Sequence, residues 1–102
     1  MSALQIIDEG DSRFTVNGDL TFATVGKDTL KSLAFLQSAK SVTIDLSRVA
    51  NTDSAGLALM IEWIRCARRY KTQLCFKNIP RQLLNLAKLS GLEDLSYFTP
   101  SA

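Results

Sequence analysis

Asp45-Leu46-Ser47-Arg48-Val49-Ala50-Asn51-Thr52-Asp53-Ser54-Ala55-Gly56-Leu57-Ala58-Leu59-Met60 reads as the junction where a buried strand hands over to a long helix. Upstream, Val42, Ile44 and Leu46 alternate with Thr43 and Asp45, and β-branched residues in that rhythm suit a pleated, buried strand. The segment Leu46 to Asp53 ends this strand in polar residues. Asn51, Thr52, Asp53 and Ser54 are all good capping types, and they stand just before an apolar-periodic run from Leu57 to Tyr70, so a helix starts there.

Toward the N-terminus, Leu4 to Ile7 and Arg13-Phe14-Thr15-Val16-Asn17 carry strand-like alternation on either side of Glu9-Gly10-Asp11-Ser12, whose residues tolerate a tight turn. This predicts an opening β-hairpin. After Gly18-Asp19-Leu20, the residues Val25, Leu30, Leu33, Ala34 and Leu36 recur mostly at three- and four-residue steps, with Thr21 or Thr24 as N-cap, which predicts an amphipathic helix. Toward the C-terminus, Gln73-Leu74-Cys75-Phe76-Lys77 is long enough for a strand and too short for a helix. Pro80 fits the first position of a further helix and Gly91 its left-handed C-terminal cap, with Leu83, Leu84, Leu86, Ala87 and Leu89 between them. Leu92, Leu95 and Phe98 are left for a last turn or strand. Strands alternating with helices after a hairpin imply an α/β domain, a mixed sheet of four to five strands covered by helices.

The chain has 102 residues, the size of one domain, and no linker, repeat or low-complexity stretch divides 1–102. Its hydrophobic fraction of 46% and charged fraction of 22% are those of a globular protein with its own core. Net charge is +2, from 12 Lys plus Arg against 10 Asp plus Glu, too balanced to call for nucleic acid or an anionic membrane as partner. The start lacks the basic region of a signal peptide, and no apolar stretch approaches the ~18 residues needed to span a bilayer. A cytoplasmic location without direct membrane insertion is expected. Cys66 and Cys75 lie in apolar stretches without CxxC spacing and read as buried free thiols.

The chain contains no histidine, which removes Ser-His-Asp and Cys-His catalysis and the usual transition-metal sites, and it has neither a P-loop nor a GxGxxG string. No cofactor or catalytic residue is predicted, and the expectation is a protein that is not an enzyme. The domain is also too small to hold a large acyl cavity beside its own core. Function should then lie in a contact. In open α/β sheets such contacts favour strand ends that lead into helices, where unpaired backbone N–H groups collect. Asp53 and Ser54 can accept from those groups, and a carboxylate there is favoured by the helix dipole. Gly56 lacks a side chain and would let a partner approach the backbone. Along the helix, Leu57, Ile61 and Ile64 form one apolar face and Leu59, Trp63, Cys66 and Tyr70 a second edge, while Glu62, Arg65 and Arg69 share a narrow polar sector. The second edge either packs on a neighbouring helix or offers Trp63 as an interface anchor. The basic group Arg65, Arg68, Arg69 and Lys71 suits the helix C-terminal dipole, with an acidic partner surface as the other reading.

Asp45-Leu46-Ser47 followed by Asp53-Ser54-Ala55-Gly56-Leu57 resembles the signature of STAS domains, named for sulfate transporters and anti-sigma-factor antagonists. Gly18-Asp19-Leu20-Thr21 is similar to that family's Gly-Glu-Leu-Asp turn, and Pro80 through Gly91-Leu92 to its closing helix, so the likeness runs over nearly the whole chain. The resemblance implies the STAS fold and a non-enzymatic module that docks on a partner protein. In the anti-sigma-antagonist branch a kinase phosphorylates the hydroxyl residue just before the motif glycine. That position here is Ala55, which cannot take phosphate, whereas Ser54 keeps a hydroxyl. The short single domain and the wording Gly56-Leu57-Ala58-Leu59 look most like the cytoplasmic STAS subunit of Mla-type phospholipid ABC transporters of Gram-negative bacteria. This implies binding to the ATPase subunit of a permease-containing complex at the inner face of the inner membrane, in support of outer-membrane lipid asymmetry. The expected partner-binding residues are Thr52, Asp53, Ser54, Ala55, Gly56, Leu59 and Trp63. The alternative is an anti-sigma-factor antagonist that binds an anti-sigma kinase and releases a sigma factor.

Overall fold

A computed structural model describes residues 4–21, 40–92 and 97. The expected helix carrying Val25 to Leu36, and Leu95 and Phe98 of the expected closing segment, lie outside these residues. Strands β1 (Gln5–Gly10) and β2 (Arg13–Leu20) form the antiparallel opening hairpin, with Ile6 opposite Val16 and a bulge between Asp8 and Gly10. Its turn is tight enough to hold Gly10, Asp11 and Ser12 at positive φ. Strand β3 (Ser41–Thr52) then lies parallel to β2, and β4 (Gln73–Lys77) parallel to β3. The result is a four-stranded mixed sheet in the order β1-β2-β3-β4, the α/β architecture anticipated from the alternation.

Strand β3 runs farther than its apolar rhythm indicates. The polar stretch from Ser47 to Thr52 stays in the ladder because β2 continues beside it, pairing Asn17 with Arg48, Gly18 with Val49 and Leu20 with Thr52. Two register shifts on the way break the in-and-out alternation from which strands are read in sequence.

Helix α1 (Ser54–Arg69) connects β3 to β4, and α2 (Arg81–Leu89) follows β4. Pro80 stands at the N-cap of α2 rather than inside it. Each helix ends in the same hydrogen-bonded cap. The Leu92 N–H donates to the Ala87 carbonyl at 2.8 Å around Gly91 (φ +76°), as the spacing predicts. In α1 the Thr72 N–H donates to the Ala67 carbonyl at 2.8 Å around Lys71 (φ +57°), a residue type that gives no hint of this conformation.

The core lies on one face of the sheet. Val16 and Leu20 of β2, Val42, Ile44 and Leu46 of β3, and Leu74 and Phe76 of β4 meet Leu57, Leu59, Met60, Trp63, Ile64 and Ala67 of α1 and Leu83 and Ala87 of α2. The register sends Arg13, Thr15, Thr43, Asp45, Cys75 and Lys77 to the opposite face. There a hollow of about 270 Å³ opens, lined by Arg13, Thr15, Thr43, Asp45 and Lys77 among others, and it does not include Asp53 or Ser54. Both cysteines are free, but the expectation that both are buried is corrected. Cys66 is half-buried, whereas Cys75 is exposed because alternation along β4 turns it away from the core.

Candidate partner-binding site

The junction singled out in the sequence sits where β2 and β3 end side by side. Leu20 is registered against Thr52, and its carbonyl accepts the Asp53 N–H at 3.1 Å. The Asn51 amide donates to the Asp19 carboxylate at 3.1 Å, and Asp19 itself is buried. The stretch Gly18 to Thr21 and the stretch Asn51 to Leu57, about thirty residues apart along the chain, thus form one corner. Parallel pairing brings both C-terminal strand ends to the same edge.

Asp53 is the N-cap of α1. Its Oδ1 accepts the Ala55 N–H at 2.8 Å, satisfying one of the donors that a helix leaves open at its start. Ser54 follows as the first helical residue and is exposed. Ala58, one turn on, is exposed as well, and Asn51 on the strand side completes a small rim of short side chains. Sequence reasoning left out Asn51 and Ala58; the step of four from Ser54 to Ala58 was a legible signal for the second.

The other expected contact residues face inward. Thr52 is 7% exposed and Ala55 6%. Gly56 is buried because the helix start presses on β2: a Cβ at this position would come within 2.7 Å of the Leu20 carbonyl oxygen and 2.9 Å of Leu20 Cβ. It makes room for the sheet, not for a partner. Leu59 and Trp63 are 0% exposed, so the expectation that they extend a contact surface is corrected. Helix α1 packs on the sheet with one edge and toward α2 with the other, which accounts for an apolar arc wider than a single face requires. The Trp63 ring lies 6.2 Å from that of Phe76, which in turn meets Tyr97 edge-on at 6.3 Å. Thr52 Oγ1 and Trp63 Nε1 are buried and have no hydrogen-bond partner among the described residues.

Asp45, which opens the motif, belongs to the sheet's other face and serves a structural end. It accepts the Ser47 N–H at 2.8 Å and the Asn78 amide at 3.2 Å, tying the middle of β3 to the residue that follows β4. Burial pushes its carboxyl up, but the hydrogen bonds from Ser47 and Asn78 and the nearby Lys77 ammonium outweigh this and hold it below the ordinary carboxylate value. At the half-buried Cys66, burial pushes the thiol up; Arg69 opposes the shift and Glu62 adds to it.

The corner therefore offers a hydrogen-bonded rim with one exposed hydroxyl, set on rigid elements. Such an arrangement suits recognition. Among the described residues no group of three or more Cys, Asp or Glu is placed to hold a metal ion, and no helix is long and apolar enough to cross a membrane.

Comparison with known proteins agrees with this architecture. A family model described as Mlab, STAS domain, matches residues 5–97. Among solved structures the chain is similar to the anti-sigma factor antagonist SpoIIAA in its unphosphorylated form, with a TM-score of 0.66 and 17% sequence identity over 89% of this chain and 83% of that one. At that identity the likeness is one of fold. A search of curated protein sequences finds no match.

Proposed function

We propose, from the premise that this chain belongs to the STAS domain family, that it is a non-enzymatic subunit which docks on the ATPase of a phospholipid ABC transporter and supports it in maintaining outer-membrane lipid asymmetry. The observation that carries this reading is the exposed Ser54 hydroxyl at the start of α1, flanked by the fixed cap Asp53 and by Ala58. The contact is made by Asp53, Ser54 and the adjoining short side chains, while Thr52, Ala55, Gly56, Leu59 and Trp63 hold the corner's shape from within. The family model's description, which names Mlab, supports the transporter branch. In this reading the protein is cytoplasmic, held at the inner face of the inner membrane by its partner within a permease-containing complex.

The second reading, an anti-sigma-factor antagonist, is supported by the fold-level likeness to SpoIIAA. Ala55 weighs against it, being 6% exposed and lacking the hydroxyl that a kinase would modify.

Purification from the native host, with identification of what accompanies the chain, separates the two: an ABC ATPase supports the first reading and an anti-sigma kinase the second. Titration of the co-purifying partner with Ser54→Arg then tests the site. A long side chain at an exposed first-turn position leaves stability within about 0.5 kcal/mol and abolishes binding. Full affinity in this variant would place the contact elsewhere.

A further inference from the structure

The end of α1 opposite Ser54 gathers positive charge from two separate pieces of chain. Arg68 and Arg69 lie in the last turn of the helix, Lys71 in the turn that follows, and Lys40 just ahead of β3, where its carbonyl accepts the Gln73 N–H at 2.8 Å. All four are exposed, and Tyr70 between them is 45% exposed. Glu62 pairs with Arg65 at 3.3 Å, and among the described residues no carboxylate forms a salt bridge with Arg68, Arg69, Lys71 or Lys40.

Interaction with the helix dipole accounts for the cations of the final turn and for Lys71 just beyond it, but not for Lys40, which lies in a separate stretch of chain and adds like charge to the group. Lys71 is telling in another way. It occupies the left-handed position (φ +57°) that α2 fills with Gly91 in an equivalent cap, so the chain keeps a side chain where its absence would relieve strain. The Arg68 guanidinium lies over the Tyr97 ring, 5.8 Å from its centroid, and is thereby held in place. Arginine and tyrosine side by side form the composition of protein-contact centres. The stretch from Arg65 to Lys71 lacks what a bilayer-seeking helix needs: Ala67 is buried, Cys66 half-buried, and Tyr70 is its sole exposed ring.

We infer that this basic end is a second docking surface, separate from the Ser54 corner, and that its occupant is an acidic segment of a partner protein whose carboxylates are received by Arg68, Arg69, Lys71 and Lys40. The guanidinium forks supply paired donors to carboxylates, and the contact weakens with ionic strength as exposed charge pairs do.

The test uses the full chain and a fluorescein-labelled octaglutamate peptide, followed by fluorescence anisotropy at low and at physiological salt. Binding that falls with salt is expected. The double variant Arg69→Glu/Lys71→Glu weakens it about tenfold or more, whereas Lys77→Glu/Arg81→Glu, with the same change in net charge away from the cluster, leaves it within about twofold. Lys71→Gly is the discriminating variant, because it raises the thermal midpoint by a few degrees while lowering affinity for the peptide. Ser54→Arg leaves peptide binding unchanged, so failure here is distinguishable from failure of the reading proposed above. Equal losses in the two double variants, or no salt-sensitive binding by the parent chain, would overturn the inference. So would capture by phosphatidylglycerol vesicles in place of the peptide, which would assign the cluster to a membrane.

Discussion

Replacing Gly56 with alanine tests how the candidate site is built. In an exposed helix this exchange stabilises by roughly 1 kcal/mol, since glycine carries the greater backbone entropy. Here the added methyl would meet the Leu20 carbonyl oxygen at 2.7 Å and Leu20 Cβ at 2.9 Å, well inside the ~3.5 Å of ordinary carbon contacts. Neither neighbour can retreat. Leu20 is 0% exposed, its backbone is registered against Thr52, and the same carbonyl holds the Asp53 N–H at 3.1 Å. The helix start must lift from β2 instead, and overpacking of this kind costs about 1–3 kcal/mol. After subtraction of the propensity gain, a net loss of up to about 2 kcal/mol remains, which lowers the melting temperature of a domain this size by up to roughly 15 °C. Thermal unfolding followed by circular dichroism measures it. The exposed Ala58, exchanged for glycine in parallel, reports the propensity term alone, with an expected loss of about 1 kcal/mol. A Gly56→Ala protein that melts above the parent temperature would refute the claim that α1 bears directly on β2.

Asp53→Ala removes the acceptor of the Ala55 N–H and should cost about 1 kcal/mol in chemical denaturation, with Asp53→Asn retaining most of it. Thr52→Val keeps the β-branched shape while deleting a buried hydroxyl that has no partner among the described residues, so the melting temperature should rise, by an amount corresponding to about 1 kcal/mol; partner affinity should persist, because the hydroxyl is closed to solvent. The Asp45 carboxyl has a lower pKa folded than unfolded, so its contribution is present above the unfolded value near 3.8 and disappears as pH falls through the lower folded value. Asp45→Asn should therefore flatten the acid limb of the stability profile below about pH 4, and an unchanged limb would show that its bonds to Ser47 and Asn78 carry no net stability.

Much of this fold is written locally. Alternation in Val42, Ile44 and Leu46 marks a strand, the capping residues before Leu57 mark a helix start, and Gly91 marks a helix end, because each signal depends on the conformations open to a few adjacent residues. The mixed sheet follows from the order of such elements. The candidate corner was legible in its cap, Asp53, and in its exposed hydroxyl, Ser54. Its inward residues were not. Whether Trp63 points to a partner or to Phe76, and whether Gly56 admits a foreign surface or the neighbouring strand, depends on where α1 lies across the sheet, and an apolar arc on one helix carries no record of what covers it. Strand β3 outran its pattern for the same reason: residues 47–52 are held by β2, whose pairing is set by three-dimensional register. Lys71 in a left-handed cap is the clearest case, since no property of lysine announces that conformation and only the closure of α1 onto β4 imposes it. Chemistry confined to neighbours along the chain can be read from residues in order; contacts between distant segments arise only once the chain has chosen which surfaces to bury.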